Sequence, residues 1–328
     1  MCTAVCYQTD GHFFGRNLDL ECSLGEHIVI TPRRFPFDFW YDEPVRRHDA
    51  IIGVACVREG YPLYYDAANE SGLWMAGLNF PESAVYQTKQ EAGVHIAPYE
   101  LIPWILARCA SVKEAVEQLK QMRLVQENFS PELPATPLHW MIADRIDCVV
   151  VEPMEDGLRI YENPVGVLTN EPPFPVQMTM LGNYVNLTAE EPESRFAENA
   201  ELKPYSRGMG AIGLPGDLSS ASRFARAAFT KLNAIAGERE TESVGQMFHI
   251  LDTVAQCSGC CRLGQGKFER TVYSSCCDGE RGIYYYTTYE NRQITAVDMH
   301  REELDSAALI SYPMVRTQQL ALQNGNAE

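Results

Sequence analysis

The apolar residues of this 328-residue chain come in short strand-length runs grouped around two pairs of helix-period segments, and this pattern constrains the fold more than any other feature. Residues 3–8 and 12–16 flank the turn signal Asp10-Gly11 and read as a hairpin. Strand patterns continue at 27–31, 51–57, 63–66 and 73–78. The period then changes. Residues 99–109 read as a helix, and Ser111 with Glu114 makes a capping box that opens a second helix to about Met122. Strands resume at 138–143, 148–152, 158–161 and 166–168. Two more helices are predicted at 220–236 and 243–256, the first with an apolar stripe of Phe224, Ala228 and Leu232. The last strands are 271–275, 283–288 and 293–298. The terminal strands need partners, so the order favours one α+β domain over residues 1–328, with two stacked sheets between two helical layers. Residues 188–216 read as a polar insertion.

Charge narrows the function. Lys plus Arg is 27 and Asp plus Glu is 44, a net charge of −17. Such a surface is unsuited to nucleic acid or anionic lipid, both of which need a basic face. No apolar run approaches the ~20 residues of a membrane span. The N-terminus has no basic segment followed by a long apolar one, so the expected compartment is the cytoplasm. Eleven cysteines, an odd number thinly spread, do not form a disulfide framework.

Some motifs carry no chemistry. Gly208-Met-Gly210-Ala-Ile-Gly213 has dinucleotide-loop spacing, but no strand pattern precedes it and Leu-Pro-Gly follows it. Cys257, Cys260 and Cys261 with Cys276 and Cys277 suggest a zinc ribbon. The second pair is adjacent within a strand pattern, where neighbours face opposite ways, so no metal is expected. His139 and His249 sit among apolar residues and form no metal spacing. No cofactor is expected.

Cys2 differs from the other cysteines. Removal of Met1, which precedes this small residue, would give Cys2 a thiol and a free α-amine of similar pKa, so nucleophile and base share one residue. The hairpin returns Arg16 and Asp19 beside it. Arg16 would hold a thiolate by charge and Asp19 would orient the amine. Three positions apart on a plain strand, the two point to opposite faces, so a bend near Asp19 is expected if both serve one site.

The chain also carries Cys2-Thr-Ala, Phe14-Gly-Arg-Asn-Leu-Asp-Leu20, Asn69-Glu-Ser-Gly-Leu73, Met75-Ala-Gly-Leu-Asn-Phe-Pro81, Leu168-Thr-Asn-Glu-Pro-Pro-Phe174, a Ser-Arg-Phe224 segment and Asn291-Arg-Gln-Ile-Thr-Ala-Val-Asp-Met299. In number and order these resemble the choloylglycine hydrolase family, which contains bile salt hydrolases and penicillin V acylases. The resemblance implies the four-layer αββα sandwich of N-terminal nucleophile hydrolases. It implies Cys2 as nucleophile, with Arg16 and Asp19 positioning it. Asn170 resembles the side-chain oxyanion donor, Asn79 the residue whose backbone N–H completes the hole, and Arg223 a second arginine pairing with Asp19. Read from sequence alone, Asn79 and Asn170 would be turn residues and Arg223 a solvated helix charge.

The implied reaction is hydrolysis of the amide of glycine- or taurine-conjugated bile salts, with penicillin V acylase as the alternative. A non-catalytic steroid carrier would have no need of the full residue set. Leu18, Leu24, Tyr65 and residues 129–138 are candidates for the steroid pocket. Trp74 either narrows that pocket or packs in the core. The resemblance further implies a homotetramer, with the 188–216 loop reaching a neighbour.

Overall fold

The computed structural model describes residues 1–324. The chain begins with strands β1 (Cys2–Gln8), β2 (His12–Leu20), β3 (His27–Thr31), β4 (Ile51–Arg58), β5 (Tyr61–Asn69), β6 (Trp74–Asn79) and β7 (Val94–Ile96). Helices α1 (Leu101–Leu106) and α2 (Val112–Leu119) follow, then β8 (Met122–Leu124), β9 (Leu138–Ala143), β10 (Cys148–Met154), β11 (Gly157–Glu162) and β12 (Val167–Leu168). Next come α3 (Phe174–Leu181), α4 (Ser220–Asn233) and α5 (Glu240–Asp252). The last strands are β13 (Cys261–Gly264), β14 (Lys267–Asp278), β15 (Ile283–Thr288), β16 (Asn291–Asp298) and β17 (Ile310–Pro313).

One antiparallel sheet has the order β12-β1-β2-β14-β15-β16, with β13 added along β14. The other has the order β11-β10-β9-β6-β5-β4-β3-β17. Strand β14 lies against β2, so the C-terminal strands hold the N-terminal hairpin in the middle of the first sheet.

The period-2 rule explains the stacking. Ile28, Ile30, Ile52, Val54, Ala76 and Met141 share one core cluster with residues of the first sheet. Their neighbours Val29, Ile51, Met75 and Ile142 belong to a second cluster with Leu101, Trp104 and Ile105 of α1. Strands buried on both faces read as continuous apolar runs, as these do. Helices α4 and α5 cover the other face of the first sheet, where Phe224, Ala228 and Met247 are buried. The layers are therefore helix, sheet, sheet, helix, the αββα arrangement expected from the sequence. Gly15 is required by this packing: a Cβ there would lie 2.0 Å from the Ser275 carbonyl oxygen and 2.9 Å from Met247 Cε.

Several boundaries differ from expectation for local reasons. Residues 98–100 form a 3₁₀ turn, so α1 is shorter than the 99–109 pattern. Ser111 does cap α2, accepting from Glu114 N, but the Glu114 carboxylate reaches back to Ala110 N. Residues 122–124 leave the helix pattern to pair with β7. Leu232 is 57% exposed, so it does not belong to the buried stripe of α4. Helix α3 has no counterpart in the sequence pattern. Of residues 188–216, only Met209–Ala211 form a 3₁₀ turn, and the Gly208–Gly213 loop neither follows a strand nor opens an α-helix.

Candidate active site

Cys2 begins β1, paired with Leu18 across the hairpin. Its side chain and its nitrogen leave the strand end in different directions, and each meets its own set of groups. On the thiol side, Arg16 Nη2 donates to Cys2 Sγ at 2.7 Å. Arg16 Nη1 is fixed by the carbonyls of Tyr65 (3.0 Å) and Gly77 (2.8 Å) in the facing sheet. Burial alone would pull the Arg16 pKa down, but the charges of Cys2, Tyr273 and Asp66 carry it up. The guanidinium is a permanent cation aimed at sulfur.

On the nitrogen side, Cys2 N donates to Asn170 Oδ1 at 2.8 Å. Arg223 Nη2 donates to the same oxygen at 2.8 Å, which fixes the amide with its oxygen toward both donors. Asn170 Nδ2 then faces the other way and donates to the Asn79 carbonyl at 2.7 Å. Arg223 Nη1 also donates to the Cys2 carbonyl and to Thr3 Oγ1. Arg223 and Asp19 are both fully buried, with Nη1 and Oδ2 4.0 Å apart. Asp19 Oδ1 accepts from Thr271 Oγ1 at 2.6 Å and Oδ2 from Gln256 Nε2 at 3.2 Å. Burial pushes the Asp19 carboxyl up, against the pull of Arg223 and the Thr271 hydrogen bond. Burial likewise lowers Arg223, opposed by Asp19.

The pairing of β2 with β1 runs without a break from Gln8↔His12 to Cys2↔Leu18 and stops short of Asp19, where the bend was expected. Arg16 faces the second sheet, whereas Asn17 and Asp19 face the helices, as alternation requires. The irregularity lies in β14, between Thr271 and Tyr273. Both faces reach one centre because Cys2 stands at the strand end, with sulfur on one side and nitrogen on the other. Asp19 reaches that centre through Arg223, and the hydrogen-bond acceptor of Cys2 N is Asn170.

The structure brings Cys2, Arg16, Asp19, Asn79, Asn170 and Arg223 into one bonded cluster. Sequence reasoning missed its supports. Ser220 Oγ accepts from Asn170 N, and Gln177 Nε2 donates to the Asn170 carbonyl. Glu171 accepts from Glu82 N, Ser83 N and Ser83 Oγ, stapling the Asn79 loop to the Asn170 loop. A lone polar residue in a Pro-rich loop, as Glu171, or on a helix, as Gln177 and Ser220, gives no sequence signal for such a role.

Next to the thiol side is an apolar cavity of about 250 Å³. Leu24, Tyr65, Phe129 and Leu138, the candidates named from the sequence, line it together with Gly77 and Trp140. Tyr65 and Gly77 are the residues whose carbonyls hold Arg16, so the cavity adjoins the nucleophile's cation. A Cβ at Gly77 would meet Trp140 Nε1 at 3.1 Å, so glycine keeps this wall open. Leu18 does not line the cavity. It is covered in the core between the sheets, directly across the hairpin from Cys2. Trp74 is also core, 2% exposed and edge-on to Phe14. His139 is buried between Glu152 and the Thr169 carbonyl and stacks on Phe80.

Two stacked antiparallel sheets between helices, with a cysteine at position 2 on the first strand, define the fold of an N-terminal nucleophile hydrolase. Residues 2–312 match the family of linear amide C-N hydrolases, choloylglycine hydrolase family, and the chain belongs to that family. A bile salt hydrolase/transferase of Lactiplantibacillus plantarum is 51% identical over 96% of this chain and 97% of its own. One of Clostridium perfringens is 38% identical over 97% and 98%. The crystal structure of the C2A mutant of conjugated bile acid hydrolase from Clostridium perfringens superposes with a TM-score of 0.91 at 36% identity, covering 99% of this chain and 100% of that one. A penicillin V acylase from Agrobacterium tumefaciens shares the fold, with a TM-score of 0.75 at 19% identity over 94% and 90% of the chains.

Proposed function

We propose that this chain hydrolyses the amide bond of glycine- or taurine-conjugated bile salts with Cys2 as an N-terminal nucleophile. The observation that carries the mechanism is the division at Cys2, with sulfur on Arg16 and nitrogen on Asn170. Loss of Met1 converts that nitrogen from an amide to an amine and leaves its acceptor in place. The amine takes the thiol proton, and the thiolate attacks the substrate carbonyl carbon. A C–S bond forms and the carbonyl π pair moves to oxygen. Asn170 Nδ2 has a second hydrogen for that oxyanion, and the Asn79 backbone N–H is the proposed second donor. Collapse breaks the C–N bond, and glycine or taurine leaves with the proton from the α-ammonium. Water then cleaves the thioester.

The acyl pocket is the apolar cavity. A steroid buries more apolar area there than a phenoxymethyl group, at about 25 cal/mol per Å², and remote binding of this kind orients the reacting amide. The domain is read as a single unit over residues 1–328. A homotetramer is part of the proposal, supported by Val185, Phe196, Leu202, Tyr205 and Ile212, large apolar residues exposed in and beside the 188–216 loop. So is a cytoplasmic location, supported by eleven free thiols.

The test is kcat/KM for glycocholate, taurocholate and penicillin V on one preparation. Both bile salts should be cleaved well above penicillin V. If penicillin V matches or exceeds them, the acyl pocket is that of a penicillin acylase and the catalytic assignments stand.

A further inference from the structure

Between the sheets, beside the buried Arg16 guanidinium, lies the buried carboxylate of Asp66. Asp66 of β5 is 1% exposed and projects toward the first sheet. Tyr273 donates to its Oδ1 at 2.6 Å, Tyr284 donates to its Oδ2, and Ser275 Oγ reaches Oδ2 at 3.5 Å. Ser275 Oγ in turn accepts from the backbone N of Arg16 at 3.3 Å. On the other side, Arg16 Nη1 donates to the carbonyl of Tyr65, one peptide from Asp66. Tyr65 is the extra residue of a bulge between β4 and β5, where Val54↔Asp66 is followed by Ala55↔Tyr64. Bulges of this kind re-aim backbone groups beside active sites. Asp66 is therefore tied to Arg16 twice, through Ser275 and through its own peptide.

A buried carboxylate is costly without a counter-charge, and so is a buried arginine. The charged and titratable groups facing Asp66 are Arg16 from β2, Tyr273 and Cys277 from β14, and Tyr284 from β15. Those facing Cys2 are Arg16 and Arg223. Burial pushes Asp66 up, whereas Arg16 and the two phenols pull it back toward the ionised form.

During the proposed reaction the negative charge beside Arg16 changes. The Cys2 thiolate balances Arg16 before attack. Once sulfur is acylated it is neutral, and Arg16 remains buried with its charge. We propose that Asp66 is a positioning residue for the reaction, a fixed anion that orients Arg16 and keeps it compensated when the Cys2 thiolate becomes a thioester. This rests on the assignment of Cys2 and Arg16 made above. Without Asp66, Arg16 would hold the thiolate too tightly. Cys2 would ionise at lower pH and yet attack more slowly, because forming the thioester would leave Arg16 alone.

The test separates these effects from simple loss of fold. Alkylation of Cys2 by iodoacetamide, a neutral reagent, is followed against pH by mass spectrometry of the N-terminal peptide. In Asp66→Asn the alkylation midpoint should fall by about one pH unit. Single-turnover acylation by a conjugated bile salt should slow roughly tenfold with little change in KM. Tyr284→Phe and Tyr273→Phe, which remove one donor each and so favour protonated Asp66, should move the midpoint the same way by less. These two carry the test if Asp66→Asn does not fold. An alkylation profile superposed on wild type in the folded variants, with only the melting temperature lowered, overturns the proposal. If alkylation of Cys2 in the wild type does not track loss of activity, the failure lies with the nucleophile assignment itself.

Discussion

Cys2 is central because one residue supplies both groups that amide hydrolysis needs to start. Replacing its thiol by the far less acidic hydroxyl should abolish turnover, because the α-amine is too weak a base to ionise it. Cys2→Ser should keep the wild-type melting temperature with no measurable kcat; near-normal activity would remove Cys2 from the mechanism. Asn170→Ala removes the acceptor for the Cys2 nitrogen and Arg223, together with the proposed oxyanion donor. Loss of such a donor costs about 10²–10³ in rate, so steady-state kcat should fall at least that far. A drop of only a fewfold would place the oxyanion elsewhere. At this scale the sequence was informative where a residue type is rare in its setting, as with a cysteine at position 2 followed by Arg16 and Asp19. Residue type alone makes Arg223 a solvated helix charge, and only the family resemblance assigned it to the site, where it is completely buried. Asp66 ends the 63–66 strand pattern, where a single acid carries no local mark of its role.

At the scale of elements, loops hold the site as firmly as strands do. Glu171 joins the loop after β6 to the loop after β12 with three accepted hydrogen bonds. Glu171→Ala should lower stability by roughly 1–3 kcal/mol, measured by urea denaturation, and should reduce kcat more than it raises KM. An unchanged kcat would mean that the Asn79 and Asn170 loops hold their places without this staple. A second prediction concerns the entry to α1. Glu100 is buried, accepts from Trp40 N and Ala97 N, and is pushed up to about 7 chiefly by burial. The folded state keeps this proton to a higher pH than the unfolded chain does. The stability from this group is therefore complete below about pH 4.5 and is lost as pH rises through about 7. Wild type should lose urea resistance across that window relative to Glu100→Gln, and parallel curves for the two proteins would contradict the assignment. Strand centres were legible because burial on both faces writes them into the sequence as continuous apolar runs. Ends were less so, since β2 runs on to Leu20 and β5 to Asn69 through polar residues that are buried only by long-range pairing. Helix α3 opens on Phe174-Pro175 after two prolines, which read locally as a turn.

Over the whole molecule, β14 binds the N-terminal hairpin into the first sheet, so residues near both chain ends build one site. The strand–helix order was enough to imply two sheets between helical layers, because apolar runs buried on both faces have few other homes. Sheet order and the inter-sheet polar network depend on contacts far apart in sequence and were not readable. The cysteine cluster belongs to this scale too. Cys276 and Cys277 are buried within β14, whereas Cys257 and Cys260 are exposed. A chelator should therefore leave melting temperature and activity unchanged, and a stoichiometric zinc lost with stability on chelation would reverse that reading. The most direct test of the central claim is intact-protein mass spectrometry of active enzyme, quenched with acid during turnover of a conjugated bile salt. The account predicts a chain lacking Met1 that carries one acyl group as a thioester on Cys2. Fully active protein that retains Met1, or an acyl group on any other residue, would contradict it.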